Sequence, residues 1–194
     1  MQYKNHYRTD IDGLRAFAVL LVVLFHAGLG FSGGFIGVDV FFVISGYLIT
    51  GIIVRETESN QGFSLKKFWQ RRIHRILPAV LAMVGCVLLI APFLMISKDL
   101  IAVAKSAISQ SLMASNFRFA RMPSGYFSTT TELWPLLHTW SLAVEEQFYI
   151  FYPLALSLVV KRFRRYAAAC IWALILVSLI TSIILTPVSP SFSF

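Results

Sequence analysis

The fold is decided by the stretch Arg15-Ala-Phe-Ala-Val-Leu-Leu-Val-Val-Leu-Phe-His26, in which an arginine and a histidine enclose an unbroken apolar run. A second stretch, Trp140-Ser-Leu-Ala-Val-Glu145-Glu146-Gln-Phe-Tyr149, places two carboxylates in similar surroundings. An ionisable group at the centre of a bilayer costs about 3 kcal/mol or more, so such groups are kept mainly for function. The two stretches therefore predict membrane-embedded segments that carry the chemistry of the protein.

The composition of the whole chain also indicates a membrane protein. Hydrophobic residues make up 57% of the 194 residues, charged residues only 13%, and the mean hydropathy is +0.73. A soluble domain carries about 25% charged residues, and a spanning helix needs about 20 largely apolar residues. We therefore predict an all-α polytopic transmembrane helix bundle of about five spans, at residues 14–29, 35–54, 76–96, 136–160 and 167–185.

The basic residues predict the orientation of this bundle. Most of the 17 lysines and arginines fall within residues 4–15, 55–75 and 161–165. The positive-inside rule assigns these segments, and with them the N-terminus, to the cytoplasm and leaves residues 97–135 outside. The net charge of +8 then follows from topology, and no nucleic-acid partner is predicted.

The remaining segments give smaller predictions. Residues 1–12 are polar and lack the cleavage site of a secretory signal, so the first span is expected to stay in the protein as an anchor. Residues 98–117 repeat apolar side chains at helical spacing and predict an interfacial helix, whereas residues 118–133 predict a loop. Cys86 and Cys170 lie within spans and far apart in the chain, which favours packing residues and predicts no metal site.

Arg15 and His26 are the first candidate site residues. Eleven residues separate them, which on a helix puts both on one face about 16 Å apart. This arrangement predicts that they line the same interior path, with Arg15 at its cytoplasmic entrance. The alternatives are an anchor that snorkels for Arg15 and a packing or helix–helix hydrogen-bonding role for His26.

Asp39 is the candidate partner of His26. Glycines in Phe31-Ser-Gly-Gly-Phe-Ile-Gly-Val-Asp39 permit a short helical hairpin that brings Asp39 to the depth of His26. A carboxylate bonded to an imidazole fixes the tautomer and supports a general base, although a structural ion pair or helix cap stays open. Ser45, further along the same span, is either a substrate contact or part of a close helix contact at Ser45-Gly46-Tyr47.

The fourth predicted span carries a polar stripe that contains Glu145 and Tyr149. His138, Ser141, Glu145, Tyr149 and Tyr152 share one helix face, while Glu146 projects toward a different neighbour. We expect Glu145 to enter from the outer side, at a depth comparable to that of His26. An intramembrane carboxylate serves as a catalytic acid, a proton-relay group or a structural hydrogen-bond partner, and the sequence leaves all three open.

Arg71, Arg72 and Arg75 form a candidate phosphate site. They cluster on the helix predicted by Phe68-Trp-Gln-Arg71-Arg72-Ile-His-Arg75-Ile-Leu-Pro78. Guanidinium groups bind phosphate bidentately, so a phosphorylated ligand from the cytoplasm is one partner of this cluster. Anionic lipid is the other.

These stretches together resemble the bacterial acyltransferase family 3, whose members are membrane O-acyltransferases of lipopolysaccharide, peptidoglycan and other surface polysaccharides. The resemblance rests on Asp12-Gly-Leu-Arg15-Ala with His26, on Gly33-Gly-Phe-Ile-Gly-Val-Asp39 continued to Ser45-Gly46-Tyr47, on the arginine cluster with Pro78, and on His138 to Tyr149. Each motif is weak alone. Their common order along residues 8–153 makes the resemblance specific.

The resemblance implies both a reaction and partners. Acyl-coenzyme A, usually acetyl-coenzyme A, is a donor substrate engaged from the cytoplasm, and no permanently bound cofactor is expected. The acceptor is a sugar hydroxyl of a glycan or glycolipid, and the site lies in the bacterial inner membrane. Carried over by motif, Arg15, Arg72 and Arg75 contact the donor, His26 is the catalytic histidine, and Asp39 and Glu145 are functional carboxylates, with Arg71, Ser45 and Tyr149 as further substrate-binding candidates.

The chain departs from the family pattern in length. Family domains resemble bundles of roughly ten spans. Residues 1–186 resemble only the N-terminal half of such a bundle, and residues 187–194 are expected to form a short stub on the outer side. A missing C-terminal half or a partner domain is therefore implied. Two other readings stay open: a proton-coupled transporter or flippase, which explains the carboxylates but not the arginines, and a truncated non-catalytic relative.

Overall fold

The computed structural model describes residues 8–59, 62–121 and 134–185, and helices account for the regular structure of these residues. The all-α prediction is thus confirmed for this part of the chain. A short 3₁₀ turn, Arg164–Tyr166, joins the last two helices. The helices are α1 (Thr9–His26), α2 (Ile36–Glu58), α3 (Leu65–Leu94), α4 (Ser97–Ser111), α5 (Ser115–Ala120), α6 (Thr139–Phe163) and α7 (Ala167–Leu185).

Four of the described helices, α2, α3, α6 and α7, are long and apolar enough to cross a membrane. They correspond to four of the predicted spans. The remaining predicted span, residues 14–29, is also helical, but α1 ends at His26 and its 18 residues include Asp10, Asp12 and Arg15. Because α1 has only 18 residues, these three charges fall within the length that a span needs, and its crossing of the membrane stays a prediction.

Contacts divide the chain into two compact units, Met1–Arg55 and Glu56–Phe194. In the first unit, the start of α2 lies directly against α1. A side chain at Gly37 would place its Cβ 2.5 Å from the carbonyl oxygen of Ala18 and 2.8 Å from Cγ2 of Val22, and Gly34 is equally crowded by Leu21. The turn itself uses Gly28 and Gly30, which have φ values of +67° and +81°. The glycines therefore provide close helix contact as well as the predicted hairpin.

We expect Gly37→Ala to destabilise the first unit. The added methyl group overlaps backbone that cannot move aside without displacing α1, and overpacking of this kind costs about 1–3 kcal/mol. Gly46→Ala is the matched control, because Gly46 lies in the same helix with nothing within 4 Å of its Cβ position. Alanine there should leave stability unchanged or raise it by up to about 1 kcal/mol.

Thermal unfolding of both variants in detergent measures the difference. Equal midpoints for Gly37→Ala and Gly46→Ala would show that the α1–α2 contact is not close in solution.

In the second unit, α4 folds back along α3. The two helices are joined by Met95 and Ile96 alone, and Ala107 of α4 packs with Val80 and Val84 of α3 and with Leu136. Because Ala107 and Val84 each lie ten residues from the connection, the two helices form an antiparallel hairpin. The core of this unit therefore lies where α3, α4 and the start of α6 meet.

The predicted interfacial helix at residues 98–117 is two helices in the structure. α4 ends at Ser111, α5 begins at Ser115, and Met113 between them has a φ of 55°. Residues 118–120, predicted as loop, belong to α5. The rest of that loop, residues 122–133, and the stub at residues 187–194 lie outside the described residues. A position of α4 and α5 at the membrane surface stays a prediction.

Candidate functional site

His26 is the last residue of α1, and its side chain is exposed. Its Nδ1 lies 2.8 Å from the backbone carbonyl oxygen of Val22. Because a carbonyl oxygen only accepts, Nδ1 carries the proton of this hydrogen bond. In the neutral ring the lone pair is then on Nε2. The hydrogen bond from Nδ1 therefore leaves Nε2 as the basic atom of the ring.

Asp39 is not the group that orients His26. Among the described residues, no hydrogen bond or ion pair joins these two side chains, and the carbonyl of Val22 takes the role that was predicted for the carboxylate. Asp39 is exposed in the first turn of α2. There its negative charge stabilises the N-terminus of the helix, which agrees with the structural alternative raised by the sequence.

The other candidates of the first unit lie on the same two helices. α1 is unbroken, so Arg15 and His26 do share a face, and the side chain of Arg15 is half-buried. Ser45 is buried within α2. Within the part of the chain that the structure describes, no atom lies within 4 Å of the Cβ position of the neighbouring Gly46, so these residues form no close helix contact there.

Arg8 makes a contact that the sequence did not predict. Its guanidinium donates to both carboxylate oxygens of Asp10, at 2.8 and 2.7 Å, and to the hydroxyl of Tyr47 at 3.3 Å. The hydrogen bonds from Arg8 hold the pKa of Asp10 at about 2. The hydrogen bond from Arg8 to Tyr47 joins residues 39 positions apart in the sequence, and no local sequence pattern predicts it.

In the second unit, Arg72 is held between aromatic rings. Its guanidinium carbon lies 5.4 Å from the ring centroid of Phe68, one turn earlier on α3, and 5.2 Å from that of Tyr149 on α6. A cation within about 6 Å of an aromatic ring centroid is attracted by the ring, so the two rings together restrain the position of this guanidinium group. The N–H groups at its edge are the ones that bind carboxylate or phosphate. Arg72 is therefore oriented before any ligand arrives.

Tyr149 connects Arg72 to Glu145. Tyr149 is buried, and its hydroxyl donates a hydrogen bond to Glu145 one turn earlier on α6. Glu145 thus lies at the level of Arg72, which is close to the start of α3. The sequence did not predict this neighbourhood with Arg72, and the side of the membrane that Glu145 faces stays a prediction. Helical periodicity gave its face correctly but could not give the residue opposite.

The three predicted arginines are not equivalent in the structure. Arg71 forms a salt bridge of 3.0 Å with Glu56 at the end of α2, and both side chains are partly exposed. Arg75 is exposed on α3. Of the three, Arg72 is the one placed by aromatic contacts to two helices. This distinction depends on neighbours from other helices and has no signal in the arginine spacing.

Glu146 faces α4, as its predicted projection away from Glu145 requires. Gln110 donates to Glu146 at 3.3 Å and accepts at 2.8 Å from Ser115, whose hydroxyl is also 2.9 Å from the carbonyl of Thr139. Gln110, Ser115 and Thr139 are almost fully buried. This network satisfies polar groups at the break between α4 and α5. Sequence reasoning missed it because its members look like scattered polar residues on an amphipathic helix.

Comparison with known proteins gives a family and several relatives. A family model described as an acyltransferase domain matches residues 8–194. The chain is 40% identical to the O-acetyltransferase OatA of Staphylococcus aureus over 163 residues, which are 84% of this chain and 27% of that protein. It is 42% identical over 163 residues to the peptidoglycan O-acetyltransferase OatA of Listeria monocytogenes, with 82% of this chain and 26% of that protein covered.

A putative O-acetyltransferase of Staphylococcus aureus is 41% identical over 179 residues, which cover 91% of this chain and 29% of that protein. No solved structure gives a significant match. The chain therefore spans between a quarter and a third of the length of these curated relatives.

Proposed function

The chain belongs to the acyltransferase family whose model it matches, and from this membership we propose that it forms the membrane part of an enzyme that transfers an acyl group to a sugar hydroxyl. The observation that carries the proposal is the match over residues 8–194 together with about 40% identity to O-acetyltransferases. The chain is a multi-pass membrane protein with four helices suited to span a bilayer. We place it in the bacterial inner membrane.

The donor in this proposal is acyl-coenzyme A, usually acetyl-coenzyme A, bound from the cytoplasm. Arg72 supports it, because a guanidinium fixed by two aromatic rings loses little freedom when it binds a phosphate. Arg75 and Arg15 are further donor contacts. Arg71 is bonded to Glu56, so a phosphate that bound Arg71 would have to replace that carboxylate. The strongest donor contact is therefore assigned to Arg72.

The chemical step in this proposal uses His26 as the general base. Nε2 removes the proton of the acceptor hydroxyl while the oxygen attacks the thioester carbonyl. A C–O ester bond forms, the C–S bond breaks, and coenzyme A leaves as its thiolate, which takes up a proton. The bond from Nδ1 to the Val22 carbonyl supports this assignment, because it leaves the lone pair on Nε2.

The acceptor is proposed to be a cell-surface glycan or glycolipid. One relative is named for peptidoglycan, which makes a polysaccharide of the cell envelope the first candidate for this chain too. Glu145 and Asp39 are proposed to help in this step. Glu145, through Tyr149, also belongs to the structure around Arg72, so changes at Glu145 should alter donor binding as well as catalysis.

Acyl transfer in membrane vesicles tests the function. Inside-out vesicles that contain the full-length protein, from a strain without other O-acetyltransferases, receive acetyl-coenzyme A labelled in the acetyl group. We expect label to enter glycan as an ester that mild alkali releases as acetate. Vesicles without the protein are the control. Protein-dependent movement of a solute or of protons, without any ester formation, would contradict an acyltransferase and support the transporter alternative.

A further inference from the structure

We propose that Trp69 is a positioning residue: its indole hydrogen bond to the backbone of α6 sets the register of α3 against α6 and holds Arg72 over the ring of Tyr149. The inference rests on the proposed donor site at Arg72. It assigns a role to an uncharged residue two positions before Arg71.

The bond exists because of Pro153. Proline has no backbone N–H, so a proline inside a helix leaves the carbonyl four residues earlier without its helical donor. In α6 that carbonyl belongs to Tyr149, and both Tyr149 and Pro153 are buried. The indole Nε1 of Trp69 donates to this carbonyl at 2.9 Å. A side chain of α3 thus replaces the N–H that α6 lacks.

Two attachments to one residue fix the register. Trp69 and Arg72 are three residues apart on α3, so they lie on neighbouring turns of one side. Trp69 binds the carbonyl of Tyr149 and Arg72 stacks on its ring, with 5.2 Å from the guanidinium carbon to the centroid. A slip of α3 by one turn, about 5.4 Å, would break both contacts. The hydrogen bond is the directional one of the two and therefore defines the position.

A purely structural role would be to satisfy a buried carbonyl. Two variants separate that role from positioning. Trp69→Phe keeps an aromatic ring but removes the indole N–H that donates to the Tyr149 carbonyl. Adding Pro153→Ala to it restores a backbone N–H that α6 itself can donate to this carbonyl. In the double variant the Tyr149 carbonyl therefore accepts a hydrogen bond within α6, while the hydrogen bond from residue 69 of α3 to α6 is absent.

The measurements are made on the full-length protein in detergent, with coenzyme A as the binding probe. We expect Trp69→Phe to lower the thermal midpoint by about 3 °C and to raise the Kd for coenzyme A about tenfold. In the double variant the midpoint should recover while the Kd stays raised. Turnover at saturating donor should change little, so the effect appears in KM. The controls are Trp172→Phe, at a side chain 66% exposed on α7, and Pro92→Ala in α3.

Recovery of both stability and donor affinity in the double variant would overturn the inference, because Trp69 would then only satisfy the carbonyl. Normal donor affinity in Trp69→Phe, with weakened affinity in Arg72→Ala, would also overturn it and leave the proposed function intact. Normal affinity in Arg72→Ala would remove the donor site itself. If Trp69→Phe does not fold, the double variant carries the test alone, since its carbonyl is paired.

Discussion

Replacing His26 with alanine is expected to lower the rate of acyl transfer by about 10²–10⁴, the contribution of a general base. The reason is the position of the proton on the ring. Nδ1 donates to the carbonyl of Val22, so Nε2 is the atom that accepts the hydroxyl proton. Donor binding and membrane insertion should be retained.

His26→Asn distinguishes a base from a hydrogen-bonding residue. The amide of asparagine can donate to the Val22 carbonyl as Nδ1 does, but it has no basic nitrogen. If His26 is the base, the alanine and asparagine variants should be equally inactive at equal protein level. Substantial acylation by His26→Asn would reduce His26 to a structural residue at the end of α1.

The four helices suited to span a membrane were predictable because each has a long apolar segment. The predicted spans at residues 35–54 and 167–185 became α2 and α7 with ends shifted by a few residues. The break at Met113 was not predictable. No glycine or proline marks it, and its buried network depends on Glu146 and Thr139 of a helix far along the chain.

The sequence could identify the candidate site residues, but it could not predict which of them contact one another. The arginine cluster singled out Arg72, membrane burial of a carboxylate singled out Glu145, and helical spacing put Tyr149 on the face of Glu145. Spacing on one helix does not say which turn of a neighbouring helix lies opposite. The link from Arg72 to Tyr149 and Glu145 therefore emerged only from the packed helices. The same limit hid Trp69, whose bond depends on Pro153 of another helix.

The hydrogen bonds of a helix explain why the partner of His26 differs from the predicted one. The sequence required some acceptor to fix the ring, and it offered Asp39 as the nearest carboxylate. A backbone carbonyl one turn back on α1 is closer and is present in any helix. Asp39 is therefore not needed to orient His26. This is consistent with a role of Asp39 at the N-terminus of α2 or in contact with substrate. The chemistry predicted for the imidazole is unchanged by this exchange of partners.

Replacing Arg72 with alanine is expected to weaken coenzyme A binding about 10- to 100-fold, the range of one charge-assisted hydrogen-bond contact. Arg72→Lys should recover little of this, because an ammonium group neither stacks on two rings nor binds phosphate bidentately. Arg71→Ala should have a smaller effect, since Arg71 is already bonded to Glu56. Titration of coenzyme A into the purified full-length variants measures all three.

If these arginines instead form a patch that contacts anionic lipid, a different result is expected. Contacts with lipid headgroups depend on the number of charges and little on geometry, so Arg72→Lys would then behave as the unmodified protein. Lys66→Ala is the control for general loss of positive charge, because Lys66 is exposed in the first turn of α3. If Lys66→Ala and Arg72→Ala weakened coenzyme A binding equally, net charge would explain the result. A selective loss at Arg72 requires the aromatic placement that the structure gives it.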